Sequence, residues 1–300
     1  MKILLLGKEG QVGWELQRSL STVGDLVASE QHDLDLECPD DVRRWVRQHE
    51  PDIIVNAAAY TAVDQAESEP EKAHRINAEA VGVLAEEANR LNAWLVHYST
   101  DYVFDGEKAA PYEEGDPANP LSVYGRTKLE GEELIRDRHA KHMIFRTSWV
   151  FAARGKNFAK TMLRFAKERE KLSVIDDQYG APTSAELVAD VTALALHRAM
   201  QNGSHTDLAG TYHLVARGEA SWHSYAQFVL TVARERGIML KTASEEVYPI
   251  QTEAYPLPAK RPRNSRLNVS KLTSTFGVHL PDWRNHVRRL IEELALQGGL

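Results

Sequence analysis

MKILLLGKEGQVGWEL, residues 1–16, decides the fold. A short apolar run, residues 3–6, stops at Gly7, and glycines recur at Gly10 and Gly13 as the amphipathic stretch 12–20 begins. Glycine there allows a tight turn and a close backbone approach, and a helix N-terminus offers N–H groups to a pyrophosphate. The same glycines also fit a plain turn; their place directly after a buried strand favours a dinucleotide, held by Gly7, Gly10, Gln11, Val12 and Gly13.

Outward from this unit the chain alternates apolar strands and amphipathic helices. Strands are expected at residues 2–6, 25–29, 52–56, 94–99 and 143–147, and helices at 12–20, 39–49, 70–91 and 124–138. That rhythm predicts an α/β, Rossmann-like, doubly wound parallel sheet. After residue 147 prolines cluster, and the strand-like segment 210–215 precedes a helix at 224–236. The expected division is a dinucleotide-binding domain over 1–150 and a smaller C-terminal substrate-binding lobe over 151–300, with part of 184–215 rejoining the sheet. A formal charge of −7 in 300 residues disfavours nucleic acid as a partner. The apolar runs are too short to span a bilayer. A lone cysteine, Cys38, allows no intrachain disulfide and points to a reducing cytoplasm.

An acidic residue after the second strand often accepts from the ribose hydroxyls of a dinucleotide. Glu30 fits that role and favours NADH, while Lys8 beside the first glycine favours NADPH, so both cofactors stay open. Asp33, Asp35 and Leu36 follow, the last two flanking the adenine by position. The small residues Ala57, Ala58 and Ala59, then Tyr60 and Thr61, would line the cofactor or simply pack tightly.

Tyr124 and Lys128, in VYGRTKLEGE, are four apart and share a helix face. The ammonium would then lower the phenol pKa and prepare Tyr124 to give a proton to a carbonyl. In HYSTDYVF the fourth strand brings Ser99 and Thr100 to the carboxyl edge of the sheet, where ligands bind. Strand alternation lets one hydroxyl face the site, and Thr100 is the expected one.

With Thr100, Tyr124 and Lys128 the chain resembles the extended short-chain dehydrogenase/reductases. Over its whole length, through GKEGQVGWEL, VNAAAYTAVDQAE, HYSTDYVFDG, VYGRTKLEGE, FRTSWVF, NFAKTM and DQYGAPT, it is similar to the dTDP-4-dehydrorhamnose reductases. That resemblance implies reduction of the C4 ketone of dTDP-4-dehydro-6-deoxy-L-mannose by NADPH or NADH, with Tyr124 as proton donor. Lys128 would hold the nicotinamide ribose, and Thr100 would hydrogen-bond the carbonyl oxygen. Nucleotide-sugar 4,6-dehydratases carry Thr-Asp-Glu where this chain has Thr100-Asp101-Tyr102, which argues against dehydration. Epimerases share the Tyr and Lys and are set aside only by the flanking segments.

Trp149 would face the sugar or belong to the core, and Asp101 would touch a sugar hydroxyl. Lys260 and Arg261, with Arg263, form a basic island suited to a diphosphate or a solvated charge run. Asn157, Gln178 and Tyr179 are weaker candidates near the nucleotide or sugar. The resemblance also implies a homodimer joined through Mg2+, with Glu15, Glu186 and Asp190 as the candidate ligands from each subunit. Other readings are an NADP-binding regulatory subunit without activity, like that of methionine adenosyltransferase, or a reductase of a different nucleotide 4-keto sugar.

Overall fold

The structure, a computed structural model, describes residues 1–201 and 206–296. Residues 297–300 of the expected 151–300 lobe and residues 202–205 of 184–215 lie outside the described residues. Five strands follow in chain order, β1 (Lys2–Leu6), β2 (Asp25–Ser29), β3 (Ile53–Asn56), β4 (Trp94–Thr100) and β5 (His142–Thr147), and Gly210–His213 adds a sixth beside β5. All pairings are parallel, in the order β2, β1, β3, β4, β5, Gly210–His213.

Both faces of this sheet are covered, because alternate residues feed two separate cores. Ile3, Leu5, Ile53, Val55, Val96, Met143 and Phe145 pack with Leu16 and Leu20 of α1 (Gln11–Leu20) and with the helix Ala185–Gln201. Leu4, Leu6, Ile54, Leu95 and Ile144 pack with Val42 and Val46 of α2 (Pro39–His49), the helix Ala80–Leu91, and Ile135. The doubly wound expectation is met. The chain reverses direction across the sheet between β1 and β3, which opens a crevice at their carboxyl ends.

The expected single helix over 70–91 is instead three pieces. Pro70–His74 and Ala80–Leu91 flank a π-helical turn, Arg75–Glu79. A π-turn inserts an extra residue per turn and redirects a side chain. Here it directs Asn77 inward, against the helix Val123–Arg138 that carries Tyr124 and Lys128.

Beyond the sheet, the helices Phe158–Glu168, Trp222–Glu235 and Trp283–Leu296 gather around Tyr225 and Trp283, both buried. A two-stranded parallel pair, Leu172–Ile175 with Val247–Ile250, completes this side of the molecule. No described helix is long and apolar enough to cross a membrane.

Candidate active site

A cavity of about 960 Å³ runs along the carboxyl ends of β1 to β5. Gly7, Gly10, Gln11 and Val12 line it, as do Glu30, Asp35, Leu36 and the wall formed by Ala57, Ala58, Ala59, Tyr60 and Thr61. At its other end stand Thr100, Asp101, Tyr124, Lys128 and Trp149. One cavity therefore gathers most of the residues singled out in the sequence.

The glycine turn is built from backbone. Gly7 has φ +82°, and a Cβ on it would lie 2.8 Å from the Ala58 nitrogen. Gly13 does not line the cavity; a Cβ there would sit 1.9 Å from the Gly7 carbonyl oxygen, so its role is to let α1 pack onto the turn. Gly10 caps α1 with no side chain bonded to the helix end. That leaves the first turn suited to phosphate oxygens, and the donor set fits a dinucleotide. Glu30 borders the cavity in an ion pair with Lys8 at 3.0 Å, and His32 approaches it at 3.2 Å. The Lys8 hydrogen bond holds the Glu30 carboxyl below its usual range.

The helix that carries Tyr124 and Lys128 is fixed from two sides. Gly131 lets it cross the π-turn, where a Cβ would meet the Asn77 carbonyl oxygen at 2.3 Å. The Asn77 side chain accepts from the Tyr60 N–H at 2.9 Å and donates to the Tyr60 carbonyl at 3.1 Å and to Thr127 at 3.2 Å. Glu132 accepts from Arg146 of β5 at 2.9 and 2.7 Å, and both side chains are buried. Removing one member would strand a buried charge, at a cost of roughly 3–5 kcal/mol.

The electrostatics differ from the expectation. Burial pushes the Tyr124 phenol up, with the Asp101 carboxylate adding to it and a hydrogen bond to Thr100 opposing, to about 12. Lys128 does not depress it. Its amino group is turned toward His97 Nε2 at 3.0 Å and the Tyr98 carbonyl at 2.6 Å, and burial lowers its pKa to about 7. The expected lowering of Tyr124 by Lys128 is thus corrected: desolvation dominates both groups. Asp101 is raised by burial to about 6, against hydrogen bonds from Ser265 and Thr100. Ser99 and Thr100, the last two residues of β4, both line the cavity. Thr100 is the one that bonds Tyr124.

Trp149 has φ +48°, a strained conformation for a bulky side chain. Its ring stacks on Trp222 at 3.6 Å and 15° and lies against Gly180, where a Cβ would come within 2.8 Å. Trp222 also lines the cavity and was not singled out in the sequence; nothing in its local pattern marks it. Asn77 was missed as well, and its one signal was an amide on the otherwise apolar face of 70–91.

Other expected residues lie elsewhere. Lys260 and Arg261 do not border the cavity; Arg261 forks onto Asp64 at 2.7 and 3.0 Å and touches Tyr102, which does border it. Asn157 caps the helix Phe158–Glu168 and bonds Gln11, and Gln178 accepts from Trp222 at 3.2 Å. Tyr179 is exposed, with its backbone paired to Arg263 and Ser265. Glu15 and Glu186 line one small cavity, where burial and the nearby Glu186 charge push the Glu15 carboxyl up. Arg18 pairs with Asp190 at 2.8 Å and Glu15 at 3.6 Å, and Arg289 pairs with Glu186 at 3.2 Å.

Comparison with known proteins agrees with this geometry. A dTDP-4-dehydrorhamnose reductase of Salmonella typhimurium is 54% identical over 298 residues, covering 98% of each chain. The crystal structure of a Clostridium acetobutylicum dTDP-4-dehydrorhamnose reductase superposes with a TM-score of 0.90 at 35% identity, covering 98% of this chain and 99% of that one. A Bacillus anthracis dTDP-4-dehydrorhamnose reductase in complex with NADP gives 0.88 at 33% identity, covering 97% and 99%. The model of the RmlD substrate binding domain matches residues 1–296, and the chain belongs to that family, the family of the dTDP-4-dehydrorhamnose reductases.

Proposed function

We propose that the protein reduces the C4 ketone of dTDP-4-dehydro-6-deoxy-L-mannose to dTDP-L-rhamnose with NADPH or NADH, the last step of dTDP-L-rhamnose biosynthesis. The observation that carries the reading is Thr100, Tyr124 and Lys128 in one cavity with the glycine turn, in a chain 54% identical end to end to a reductase of that name. A non-catalytic regulatory subunit would need the fold and the turn but not that constellation.

When bound, the nicotinamide supplies a hydride to the ketone carbon. The chain supplies the proton and the alignment. Tyr124 is protonated at neutral pH, since its pKa is raised, so it enters the reaction as an acid. Negative charge gathers on the carbonyl oxygen as hydride arrives, and that alkoxide is basic enough to take the phenol proton. Thr100 hydrogen-bonds the same oxygen and stabilises the growing charge. Lys128 holds the cofactor ribose beside Tyr124. Glu30 accepts from the adenosine ribose, with Asp35 and Leu36 at the adenine and the Gly7–Gly13 turn at the pyrophosphate.

Asp101 and Trp149 take the sugar, and residues 151–300, apart from those that rejoin the sheet, form the substrate side. Arg261 stands behind Tyr102 at that rim, with Lys260 next to it in the chain. The implied homodimer and its Mg2+ take no part in the chemistry. Carboxylate oxygens suit a hard cation, and Glu15, Glu186 and Asp190 contributed by two subunits would hold it; within one chain they pair with Arg18 and Arg289.

The test is NAD(P)H oxidation followed at 340 nm (the dihydronicotinamide absorbance) with dTDP-4-dehydro-L-rhamnose made in situ from dTDP-glucose. Turnover to dTDP-L-rhamnose is expected, and Tyr124→Phe lowers kcat roughly a thousandfold with NADPH affinity unchanged. Near-wild-type kcat in that variant removes Tyr124 as the acid. NADPH binding without turnover turns the reading toward a regulatory subunit or another keto-sugar.

A further inference from the structure

Behind the catalytic lysine lies a hydrogen-bonded row that the reaction as described does not use: Ala58 N–H, Asn56, His97 and Lys128. The Ala58 N–H donates to Asn56 Oδ1 at 3.1 Å. A backbone N–H can only donate, so it fixes the Asn56 amide with Nδ2 turned the other way. That Nδ2 faces His97 Nδ1 at 3.2 Å, and an NH2 group is a donor without a lone pair to offer. His97 Nδ1 must therefore be the bare, accepting nitrogen. A neutral imidazole then carries its proton on Nε2, the atom that faces Lys128 Nζ at 3.0 Å. An N–H pointed at an ammonium makes no bond. Pointed at a neutral amine, it finds the lone pair.

We propose that Asn56 and His97 are positioning residues that set the protonation state of Lys128, holding it as the neutral amine while the cavity is empty of cofactor. In that state Lys128 donates to the Tyr98 carbonyl at 2.6 Å and accepts from His97. Protonating Lys128 requires His97 to move its proton from Nε2 to Nδ1, where it meets the Asn56 NH2. One bond in the row is then lost whichever way the ring is protonated. The lysine charge thus becomes conditional, taken up when the gain from bound cofactor or from falling pH outweighs that loss.

The surroundings agree with a neutral row. Asn56 and His97 are buried, and burial also lowers both His97 and Lys128 from their ordinary ranges. The ionisable groups around the row are Tyr124 and Glu132 on the catalytic helix, Asp101 after β4 and Arg146 on β5. Glu132 favours the ammonium, yet Arg146 already holds both its oxygens. Tyr98 turns its phenol away, to Thr192.

The test uses the full chain without cofactor, labelled with ¹³Cε-lysine and ¹⁵N-histidine and titrated by NMR. Wild type is expected to show His97 as the Nε2–H tautomer and one lysine, absent from the Lys128→Met spectrum, titrating near pH 7. Asn56→Asp supplies an acceptor to Nδ1–H, reverses the tautomer and moves the lysine midpoint up by about two pH units. His97→Gln presents a side-chain carbonyl to Lys128 and moves it the same way, which covers the case in which Asn56→Asp does not fold. An Nδ1–H tautomer in wild type, or a Lys128 midpoint above pH ~10 there, its ordinary range, overturns the proposal. So does a midpoint unmoved in the folded variants. The idea rests on the reductase reading only for its consequence. Both signals are read without cofactor or substrate, so their failure leaves the reductase reading standing, and a failed turnover assay leaves the tautomer untouched.

Discussion

The two ends of the cavity are held by different means. At the glycine end the positions are set by backbone against backbone: Gly7 and Lys8 donate to the Ser29 carbonyl at 3.0 and 3.2 Å, and Gly13 closes on Gly7. At the Trp149 end they are set by side chains from remote parts of the chain, Trp149 on Trp222, Gly180 beneath, and Arg261 on Asp64 near Tyr102. Backbone packing has no rotamers to yield, so a single added methyl there should be felt at full strength. Stacked rings yield in steps, and the second end should be adjustable where the first is not.

Gly13→Ala tests the rigid end with the largest effect. The new methyl would lie 1.9 Å from a carbonyl oxygen, and neither partner is a flexible side chain. Overpacking of this kind costs up to about 3 kcal/mol, which corresponds to roughly a hundredfold weaker NADPH binding if the turn absorbs all of it. Titration of protein fluorescence with NADPH, beside a thermal melt, separates lost binding from lost fold. Wild-type affinity in a variant of wild-type stability would mean that the close approach of α1 does not shape the site.

Trp222→Ala tests the adjustable end and should do less. It removes the ring that holds Trp149 in its left-handed conformation, worth about 1–1.5 kcal/mol for the stacked pair. About a tenfold rise in KM for the sugar nucleotide is expected, with NADPH affinity within twofold of wild type. If NADPH affinity fell by the same factor, the two ends would not be independent.

The same contrast explains what could be read from sequence. Gly7, Glu30, Ala57–Thr61 and Thr100 each sit at the end of a strand, and strand ends in a parallel sheet face one crevice by topology alone. Recognising the strands therefore placed them, to within a residue or two. Trp222 and Asn77 reach the site through tertiary contacts that leave no local trace: a ring stacked on residue 149, and a π-turn inside what reads as one helix. The Tyr124–Lys128 spacing was legible, but its electrostatics were not. A helix face says the two are neighbours; it does not say that His97 and the Tyr98 carbonyl engage the lysine instead. Arg261 read as part of a basic island for a diphosphate or for solvent for the same reason, its partner Asp64 lying 197 positions away in the chain.

Glu30 is where the rigid end becomes adjustable, and the expected effect is the smallest. Its carboxylate stands on the fixed backbone after β2, but what it does depends on Lys8, 3.0 Å away, with Asp33 3.8 Å from the same ammonium. As long as that pair holds, the carboxylate is free to accept from a ribose hydroxyl only with its second oxygen, and Lys8 is held back from a 2′-phosphate. Glu30→Ala removes the acceptor and the repulsion together and releases Lys8. The ratio of kcat/KM for NADPH over NADH should rise about two- to fivefold, a small change because water screens a solvent-facing ion pair. Because the effect is electrostatic and solvent-facing, it should shrink as salt is raised from ~0.05 to ~0.5 M. The Trp222→Ala effect on KM, being a matter of packing, should not follow salt in this way. A ratio that does not change, at either salt concentration, would take Glu30 out of cofactor choice and leave the backbone turn alone to hold the dinucleotide.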